Sequence, residues 1–345
     1  MADAHNPGSA GKATIRDIAK AAGVSVSTVS RVLNGRRRHM RDETWNKVEA
    51  VINERHYVPN SLASGLKWDK SKTLGVIVSN IRNQYFSAVV RGIQDYTSSY
   101  GYDVFICNTD DDPEREAHYL KTLLSRRVEG LIVTTCAKDK SVYQRLVADG
   151  FPLVLLDRPI SGLRCDSIGV DNRAVCQQVV ERLIALGHQY IGVVTPPCAD
   201  IGPRLDRVEG CRDGMRRHGF DLLPELVVEI GFGAESIAEA TTRLLARQPR
   251  PTALFLLNTL LAGGIVRELR RSSSLSDFAL VTYDDPDWCE FLSPPVSAVR
   301  QPTYEIGRIV GRLAIDRISE PQRPIERITL DAEFVERNLP ARQAI

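Results

Sequence analysis

Residues 14–34 read TIRDIAKAAGVSVSTVSRVLN and consist of two short amphipathic segments separated by a glycine. Thr14, followed three residues later by Asp17, is typical of a capping box at the start of a helix. Apolar residues then recur at helical spacing on one face, at Ile15, Ile18, Ala19 and Ala22. Gly23 ends the segment where a side chain would crowd a sharp turn. The stretch predicts two helices joined by a tight turn, with Val24 packed between them.

The second predicted helix, residues 25–33, has a narrow polar face. The outward residues are Val26, Ser27, Ser30 and Arg31, and the buried side carries Val29, Val32 and Leu33. In the major groove of DNA, Ser and Thr hydroxyls bond base edges or phosphates, and Arg favours the acceptors of guanine. The pair therefore predicts a DNA-reading helix-turn-helix, although similar helix pairs with a glycine turn also occur in domains that bind nothing.

The polar side chains of this motif divide into two expected roles. Those expected to read bases are Val26, Ser27 and Arg31. Those expected to contact phosphates or to cap helices are Thr14, Ser25, Thr28 and Ser30. The charge distribution favours phosphate contacts, because residues 1–70 hold 12 Lys plus Arg against 7 Asp plus Glu, whereas the whole chain has a net charge of only +2.

From Ala13 to Leu66 the chain closely resembles the lactose-repressor and galactose-repressor family of bacterial transcription regulators. The matching pieces are TIRDIAKAAGVSVSTVSRVLNG, DETWNKVEAVINERHYVPN and SLASGL, in that order and spacing. A third helix is expected from Glu43 to Arg55, capped by Asp42, with a core completed by Val48, Val51 and Ile52. The resemblance also implies DNA contacts by Asn34, Tyr57 and Asn60.

Residues 60–71 form a polar linker between the two parts of the chain. In the resembled family this segment is a hinge helix that orders when two copies meet on the minor groove of the operator. Leu66 matches the leucine that the family wedges between base steps, and Ala63 lies one turn earlier on the same face. The alternative for Leu66 is an ordinary linker leucine packed on the core. Gly65 departs from the family pattern and costs about 1 kcal/mol of helix propensity relative to Ala.

From Thr73 onward, apolar strand-like runs alternate with amphipathic helices. Continuous apolar strands separated by helices predict parallel sheets buried on both faces, and two such units in series predict two doubly wound lobes. The resemblance continues here through the segments NQYFSAVVRGIQD (83–95), VDN (170–172), LGH (186–188) and VRQPTYEIG (299–307). It implies a periplasmic-binding-protein-like core with a ligand cleft between the lobes.

Ligands of such α/β lobes bind outside the carboxyl ends of the strands, so polar residues at strand ends are the candidates. Each candidate matches a cleft position of the resembled family, although taken singly such residues are more often helix caps or surface charges. The polar candidates are Asp157, Arg207, Asn258, Asp284 and Gln301, and the aromatic walls are Tyr85, Phe86 and Phe232.

Two of these candidates carry the main effector contacts that the resemblance implies. Arg207 lies three residues before Gly210 in RLDRVEG, which is the spacing of the family's effector-anchoring arginine. A guanidinium there can bond vicinal hydroxyls or a carboxylate bidentately. Asp284 matches the acidic residue that accepts donors from a sugar or a base.

Two departures from the family pattern bear on the effector. Thr259 follows Asn258 where the family usually has Asp, and Arg204 adds a second cation near Arg207. A more cationic cleft would suit an anionic sugar such as an aldonate or a ketogluconate better than a neutral one. The run Asp110 to Asp112 resembles a metal site, but an aspartate followed by Pro113 is better interpreted as a helix N-cap.

We divide the chain into a disordered arm (1–12), a helix-turn-helix domain (13–59), a hinge (60–71) and a two-lobed effector-binding and dimerisation core (72–345). Seven cysteines without ligand spacing indicate small buried side chains and no zinc site or disulfide framework. We expect no cofactor, no metal and no membrane partner. The N-terminus lacks an apolar signal segment and the C-terminus lacks a leucine heptad, so we expect a cytoplasmic homodimer.

Three classes of function remain to be weighed. An enzyme acting on sugars would need catalytic or phosphate-cradling motifs such as GxxxxGK[ST], GxSxG or HExxH, which the sequence lacks. A sugar-binding protein without a regulatory role would share the core but not residues 14–34. We therefore predict a non-enzymatic regulator, a repressor of sugar or sugar-acid genes that a small effector releases from a pseudo-palindromic operator. A corepressor-dependent regulator with a purine or nucleoside ligand is the alternative within this fold.

Overall fold

The structure is a computed structural model that describes residues 13–33, 37, 40–55, 57, 71–198 and 201–342. It divides into two compact units, Met1–Ser71 and Lys72–Ile345. The predicted arm at 1–12 and the predicted hinge helix lie outside the described residues, as do the predicted DNA contacts Asn34, Asn60, Ala63 and Leu66.

The N-terminal unit contains three helices, α1 (Ile15–Ala22), α2 (Val26–Leu33) and α3 (Asp42–Glu54). The capping box at α1 is formed: the Thr14 amide donates to the Asp17 carboxylate at 2.8 Å, and the Asp17 amide donates to the Thr14 hydroxyl at 3.3 Å. Gly23 has φ +64° and ends α1, as predicted. The shared core consists of Ile18, Ala19, Ala22, Val29, Val32 and Val48.

The start of α3 differs from the prediction. Arg41 is the N-cap of this helix and makes no side-chain capping bond, so Asp42 is the first helical residue and not the cap. The carboxylates of Asp42 and Glu43 lie in the first turn, where the amide end of a helix favours negative charge. The expected capping role of Asp42 is therefore replaced by a weaker electrostatic one.

The core unit contains two six-stranded sheets that define two lobes. Lobe 1 has the strand order β11-β5-β4-β3-β1-β2, all parallel. Its strands are β1 (Thr73–Val78), β2 (Asp103–Asn108), β3 (Gly130–Val133), β4 (Leu153–Leu156), β5 (Asp166–Val170) and β11 (Arg327–Leu330). Its helices are α4 (Gln84–Ser98), α5 (Pro113–Ser125), α6 (Ser141–Ala148) and α12 (Thr303–Ser319).

Lobe 2 repeats this arrangement with the order β12-β10-β9-β8-β6-β7. Its strands are β6 (Ile191–Thr195), β7 (Val227–Glu229), β8 (Ala253–Leu256), β9 (Ala279–Tyr283), β10 (Ser297–Arg300) and β12 (Glu333–Val335). Its helices are α7 (Asn172–Ala185), α8 (Gly202–Arg217), α9 (Ala234–Leu245), α10 (Thr259–Arg271) and α11 (Trp288–Phe291). Strand β12 pairs antiparallel with β10, which departs from the predicted wholly parallel sheets because the chain returns from lobe 1 to close the edge.

Each sheet is covered on both faces by helices, which confirms the predicted doubly wound lobes. The inner strands β1, β3, β4, β6, β8 and β9 are almost continuously buried, the edge strands β2, β7, β11 and β12 are partly exposed, and each lobe contains two apolar clusters. The chain passes between the lobes after β5, after β10 and between β11 and β12. Five of the seven cysteines are buried side chains, Cys165, Cys176, Cys198, Cys211 and Cys289.

One close helix contact in lobe 2 positions a predicted site residue. A Cβ atom at Gly210 of α8 would lie 2.3 Å from the carbonyl oxygen of Arg173 in α7, so only glycine allows the two backbones to approach this closely. Because Arg207 lies one turn before Gly210, this contact brings Arg207 beside the first turn of α7.

Candidate functional site

The outward surface of α2 is exposed and carries small side chains. Val26 has 41% of its surface exposed, and Ser27 and Arg31 are exposed on the same helix. Ser25 caps the helix, since its hydroxyl accepts from the Thr28 amide at 3.2 Å, and it also lies 2.7 Å from the Ser27 hydroxyl. The surface therefore offers an apolar side chain, hydroxyls and one cation to a groove.

The other described members of the predicted DNA-contacting set have structural contacts as well. Thr14 is engaged in the cap of α1, Ser30 is half-buried, and Tyr57 packs against the three-helix core. Helix capping was one of the two roles expected for Thr14 and Ser25, and it does not prevent their hydroxyls from reaching a phosphate at the helix N-terminus.

A second candidate site lies in the cleft between lobes 1 and 2. A cavity of about 50 Å³ there is lined by all eight predicted effector residues, Tyr85, Phe86, Asp157, Arg207, Phe232, Asn258, Asp284 and Gln301. Lobe 1 contributes residues at the ends of β1 and β4, and lobe 2 contributes residues at the ends of β8 and β9. The strand ends therefore meet at one place, as expected for ligand sites of α/β lobes.

Arg207 is held rigidly by groups from three elements of lobe 2. Its Nε donates to Asn172 Oδ1 at 2.7 Å, and its Nη1 donates to the carbonyl oxygen of Leu257 at 2.9 Å. The guanidinium lies 3.6 Å from the centroid of the Tyr283 ring, and the Tyr283 hydroxyl donates to the same Asn172 oxygen at 2.7 Å. Burial acts to lower the pKa of Arg207, but Tyr283, Asp157 and Asp284 raise it above its ordinary value. This cation is therefore fixed in the wall of the cleft.

Asp284 lies at the end of β9 and receives bonds from other segments. It has φ +68°, a conformation that Asp tolerates better than most residues. Gln301 Nε2 donates to its Oδ1 at 2.5 Å, and Asn83 Nδ2, at the start of α4 in lobe 1, donates to its Oδ2 at 3.5 Å. Burial raises the pKa of Asp284 above its ordinary value, although Arg207 and these hydrogen bonds oppose the shift. The carboxylate thus joins the two lobes.

Four buried polar atoms of the cleft lining have no hydrogen-bond partner among the described residues, and three of them belong to predicted effector residues. These three are Tyr85 Oη, Asp157 Oδ1 and Gln301 Oε1. The side chains of Tyr85 and Gln301 are only 5% and 6% exposed, so these atoms are not compensated by bulk water. Buried polar atoms without partners are rare in native proteins. Two of the three are acceptors, and the fourth atom, Arg158 Nε, is a donor, so the cleft is suited to a ligand that both donates and accepts hydrogen bonds.

Asn258 and Phe232 line the same cavity in different ways. Asn258 is the N-cap of α10, and its Oδ1 accepts from the amides of Leu260 and Leu261 at 2.9 and 3.3 Å. The side-chain carbonyl oxygen of Asn258 is therefore already bonded to the first turn of α10. Phe232 is 37% exposed and forms part of the wall near solvent.

The charge of the cleft depends on a pairing that links the two lobes. Arg204 was expected to make the cleft cationic, but its Nη2 donates to Asp111 Oδ2, and Arg158 Nη1 donates to Asp111 Oδ1 at 2.7 Å. The cleft lining contains as many aspartates as arginines. The sequence did not reveal this because Asp111 and Arg204 are distant in the chain and belong to different lobes.

The aspartate run at 110–112 has the structural role predicted for it. Asp112 Oδ1 accepts from the amides of Glu114 and Arg115 at the start of α5, with Pro113 in the first turn. Asp110 pairs with Arg115 at 2.8 Å. Within the described residues, no cluster of His, Cys, Asp or Glu could hold a metal ion.

None of the helices in the described part of the chain is long and apolar enough to cross a membrane.

Several cleft residues were missed by the sequence analysis. Asn83, Asp111, Arg158, Asn172 and Tyr283 either line the cavity or orient residues that do. Two signals could have found some of them, since Asn83 precedes a predicted helix after β1 and Arg158 directly follows the candidate Asp157. Nothing local distinguishes Tyr283, whose ring contact with Arg207 arises only in the folded lobe.

Two family models match the chain. Residues 14–60 match bacterial regulatory proteins of the lacI family, and residues 180–338 match the periplasmic binding protein-like domain. The first match contains the helix-turn-helix, and the second contains Arg207, Phe232, Asn258, Asp284 and Gln301.

Relatives of known name resemble the chain over almost its whole length. The ribose operon repressor of Escherichia coli (strain K12) is 32% identical over 333 residues, which cover 94% of this chain and 99% of the repressor. The crystal structure of the lac repressor dimer bound to operator and the anti-inducer ONPF is 27% identical, with a TM-score of 0.81 over 96% of this chain and 100% of that one. The complex of the transcriptional regulator CelR with cellobiose is 28% identical, with a TM-score of 0.68 over 95% and 99% of the two chains.

Proposed function

This chain belongs to the lacI family of bacterial regulatory proteins, and we propose that it is a repressor released from a pseudo-palindromic operator by a small carbohydrate-like effector. The exposed surface of α2, with Val26, Ser27 and Arg31, reads bases in the major groove. The cleft between the lobes binds the effector. The protein acts by binding alone, in the cytoplasm where operator DNA is found.

The observation that carries the effector proposal is the set of unpartnered polar atoms in the cleft. Tyr85 Oη, Asp157 Oδ1 and Gln301 Oε1 line one cavity together with the fixed guanidinium of Arg207. Hydroxyl groups donate and accept hydrogen bonds, so a polyhydroxylated molecule can satisfy both the acceptors and the arginine. Phe86 and Phe232 supply the apolar walls that such a ring needs.

The effector class follows from this chemistry and from the relatives. Two of the relatives have names that include a carbohydrate. One is a ribose operon repressor, and the other is a regulator solved in complex with cellobiose. A sugar or a sugar acid, such as a ketogluconate, fits a cleft that contains acceptors at Asp157 and Gln301 and a cation at Arg207. A purine corepressor is the competing ligand, and the experiment below separates the two.

The exposed apolar surfaces of the core support a homodimer. Strand β2 is the edge of the lobe 1 sheet, and Phe105 and Ile106 on it are 46% and 41% exposed. In lobe 2, Phe291 is 81% exposed. Unprotected apolar edge strands tend to pair with another chain. One helix-turn-helix reads only a few base pairs, so two copies are also needed for specificity on a genome.

The hinge proposal concerns residues outside those that the structure describes. Leu66 inserts between base steps of the minor groove when two hinge helices meet on the operator, with Ala63 on the same face. The support for this assignment is the order and spacing of SLASGL after the helix-turn-helix. The domain division at residues 59/60 and 71/72 rests on the same segment.

A direct experiment tests the proposal in two stages. The preferred duplex is first selected from a random library with the purified protein. Fluorescence anisotropy then measures operator affinity with D-ribose, cellobiose, D-gluconate, 2-keto-D-gluconate or hypoxanthine added. We expect a sugar or sugar acid to weaken operator binding at least about tenfold, within the usual range of allosteric coupling. Tighter binding with hypoxanthine would show a corepressor-dependent regulator instead, and no response to any related compound would show that the cleft does not control DNA binding.

A further inference from the structure

Three charged side chains connect the lobes at one side of the cleft. Asp111 follows β2 and Arg158 follows β4 in lobe 1, and Arg204 lies in the first turn of α8 in lobe 2. Asp111 accepts from Arg158 Nη1 at 2.7 Å with one oxygen and from Arg204 Nη2 with the other. We call Asp111, Arg158 and Arg204 the bridging triad. All three line the same cavity as Arg207 and Asp284.

The bridging triad contains more positive than negative charge in a buried place. The side chains of Arg158, Arg204 and Asp111 are only 8%, 13% and 18% exposed. Burial acts to raise the pKa of Asp111, but the two guanidinium groups outweigh it and hold that pKa below its ordinary value. Burial lowers the pKa of Arg204 below its ordinary value, even though Asp111 opposes the shift. Within the triad, one carboxylate is therefore shared by two buried cations.

A second observation points to a ligand at the same place. Arg158 Nε is buried and has no hydrogen-bond partner among the described residues, and Arg158 as a whole is only 6% exposed. Two neighbouring carboxylates are committed elsewhere, since Asp110 pairs with Arg115 and Glu116 accepts from Thr135 and the Cys136 amide, whereas Asp157, directly before Arg158, has one oxygen without a partner among the described residues. The triad thus has a buried donor without a partner on a residue that lines the cavity, and one more cation than carboxylate, although Asp157 and Asp284 balance the charge of the lining as a whole.

The cavity is small for a ligand, so the contact across the bridging triad opposes ligand entry. A cavity of about 50 Å³ is far below the roughly 300 to 1,000 Å³ of small-molecule sites. Because Asp111 belongs to lobe 1 and Arg204 to lobe 2, any separation of the lobes that enlarges the cavity would break the contact between them. Arg204 would then be left without its carboxylate unless the ligand supplies one.

We propose that Arg158 and Arg204 form a carboxylate subsite of the effector cleft, which Asp111 fills in the closed arrangement and from which the carboxylate of a sugar acid displaces it. The inference rests on the proposed function, because it assigns one end of the effector in that cleft. The carboxylate binds between the two arginines, and the hydroxyls of the same molecule reach Asp157, Gln301 and Arg207. Asp111, as part of the chain, competes with the ligand carboxylate for the two arginines. It therefore determines how strongly an acid is preferred over a neutral ligand.

A matched pair of ligands tests the specificity that follows. D-gluconate and D-glucitol share their carbon chain and differ at C1, where one has a carboxylate and the other an alcohol. Calorimetry should show that the preference for gluconate over glucitol falls at least about tenfold in Arg204→Gln and rises in Asp111→Asn. Arg216→Gln, at the exposed far end of α8, should retain the wild-type preference. An unchanged preference in Arg204→Gln would overturn the proposal.

A test with inorganic phosphate decides the subsite even if neither polyol binds. Thermal unfolding of the full chain is compared in phosphate and in chloride at equal ionic strength. Phosphate should raise the Tm of Asp111→Asn by about 3 °C more than that of Asp111→Asn combined with Arg204→Gln, because only the first variant retains both cations without their carboxylate. Equal shifts would overturn the subsite. A failure of sugars and acids to alter operator binding would instead contradict the proposed function while leaving the phosphate result valid.

Discussion

The exposed surface of α2, which we propose reads bases and call the reading surface, and the cleft between the lobes are built in opposite ways. Val26, Ser27 and Arg31 come from six consecutive residues of one helix and are exposed, whereas the cleft collects buried side chains from segments that span residues 79–301. The surface of α2 needs only a stable helix and a cap. The cleft needs two folded lobes at a defined separation. We therefore expect substitutions in one region to leave the binding equilibrium of the other intact while breaking the coupling between them.

The two lobes also differ at equivalent positions. Asp157 follows the fourth strand of lobe 1 and Asp284 follows the fourth strand of lobe 2, with φ angles of +65° and +68°. Asp284 accepts bonds from Gln301 and Asn83, but Asp157 Oδ1 has no partner among the described residues. Lobe 2 thus supplies the fixed part of the cleft, and lobe 1 supplies an acceptor that is available to a ligand.

The largest effect is expected in the cleft. Arg207→Ala removes the guanidinium held by Asn172 and Tyr283, and Asp284→Ala removes the buried acceptor. Either change should weaken effector binding at least about 100-fold, the scale of losing a charged hydrogen-bonding group, while operator affinity stays within about twofold. Calorimetry and anisotropy measure the two affinities. Arg216→Ala is the control on the same helix, and an Arg207→Ala protein that binds effector like wild type would refute the cleft assignment.

The next effect is expected on the reading surface. Replacing Val26 and Ser27 together should change which operator is preferred, by about 1 to 3 kcal/mol at one base pair per half-site. Effector affinity should not change. Selection from a random duplex library gives the preferred sequence, with Glu49→Gln on the exposed side of α3 as the control. The same preferred sequence before and after substitution would mean that these side chains do not read bases.

The proposed hinge lies between the two regions in the sequence, and a substitution in it should have a smaller effect. Leu66→Ala should weaken operator affinity roughly tenfold and reduce DNA bending, since an apolar wedge offsets part of the cost of unstacking a base step. Gly65→Ala should act in the opposite direction by favouring the helix. Gel mobility with circularly permuted sites measures the bend. Identical affinity and bending for Leu66→Ala and wild type would eliminate the wedge.

The smallest effect comes from a residue outside both regions. His188 Nε2 donates to the Pro340 carbonyl at 2.9 Å, and its Nδ1 lies 2.9 Å from the Thr252 hydroxyl, which can donate to a neutral ring or accept from a protonated one. Burial lowers the pKa of His188 below its ordinary value, although the bond to Pro340 opposes the shift. Its stabilising contribution is therefore present above the ordinary pKa of about 6.5 and is lost as the pH falls below it.

Thermal unfolding at two pH values checks this expectation. Between pH 7.5 and 5.5 the wild-type protein should lose more stability than His188→Gln, in which the titrating ring is absent. The operator preference and the effector affinity at pH 7.5 should be the same in both proteins. Equal losses on acidification would show that His188 is not held neutral by the fold.

The sequence could predict a feature when neighbouring residues determine it, and less so when the feature depends on residues far apart in the chain. The cap formed by Thr14 and Asp17, the turn at Gly23 and the capping role of Asp112 are local, and the structure confirms them. The start of α3 was wrong by one residue, because adjacent acidic residues satisfy similar patterns. The parallel lobes followed from strand composition, but the antiparallel β12 depends on how the chain returns between lobes.

The cleft shows the same limit more clearly. Strand-end positions brought all eight candidates to one cavity, because the architecture fixes where such ends meet. The partners of those candidates could not be predicted. Asn172 and Tyr283 reach Arg207 from α7 and β9, and Asp111 neutralises Arg204 from the other lobe. The position of Arg204 near Arg207 could therefore be predicted from the sequence, but its pairing with Asp111 could not.

The most direct test of the account is the reciprocity between the two regions. Calorimetry gives the effector Kd of the protein alone and of the protein saturated with its operator duplex, and anisotropy gives the operator Kd with and without effector. An effector that acts through the cleft must change operator affinity by the same factor by which the operator changes effector affinity. We predict equal factors of at least about tenfold in wild type and factors of one in Arg207→Ala. An effector Kd that is identical with and without operator, for a compound that nevertheless releases the DNA, would contradict control through the cleft.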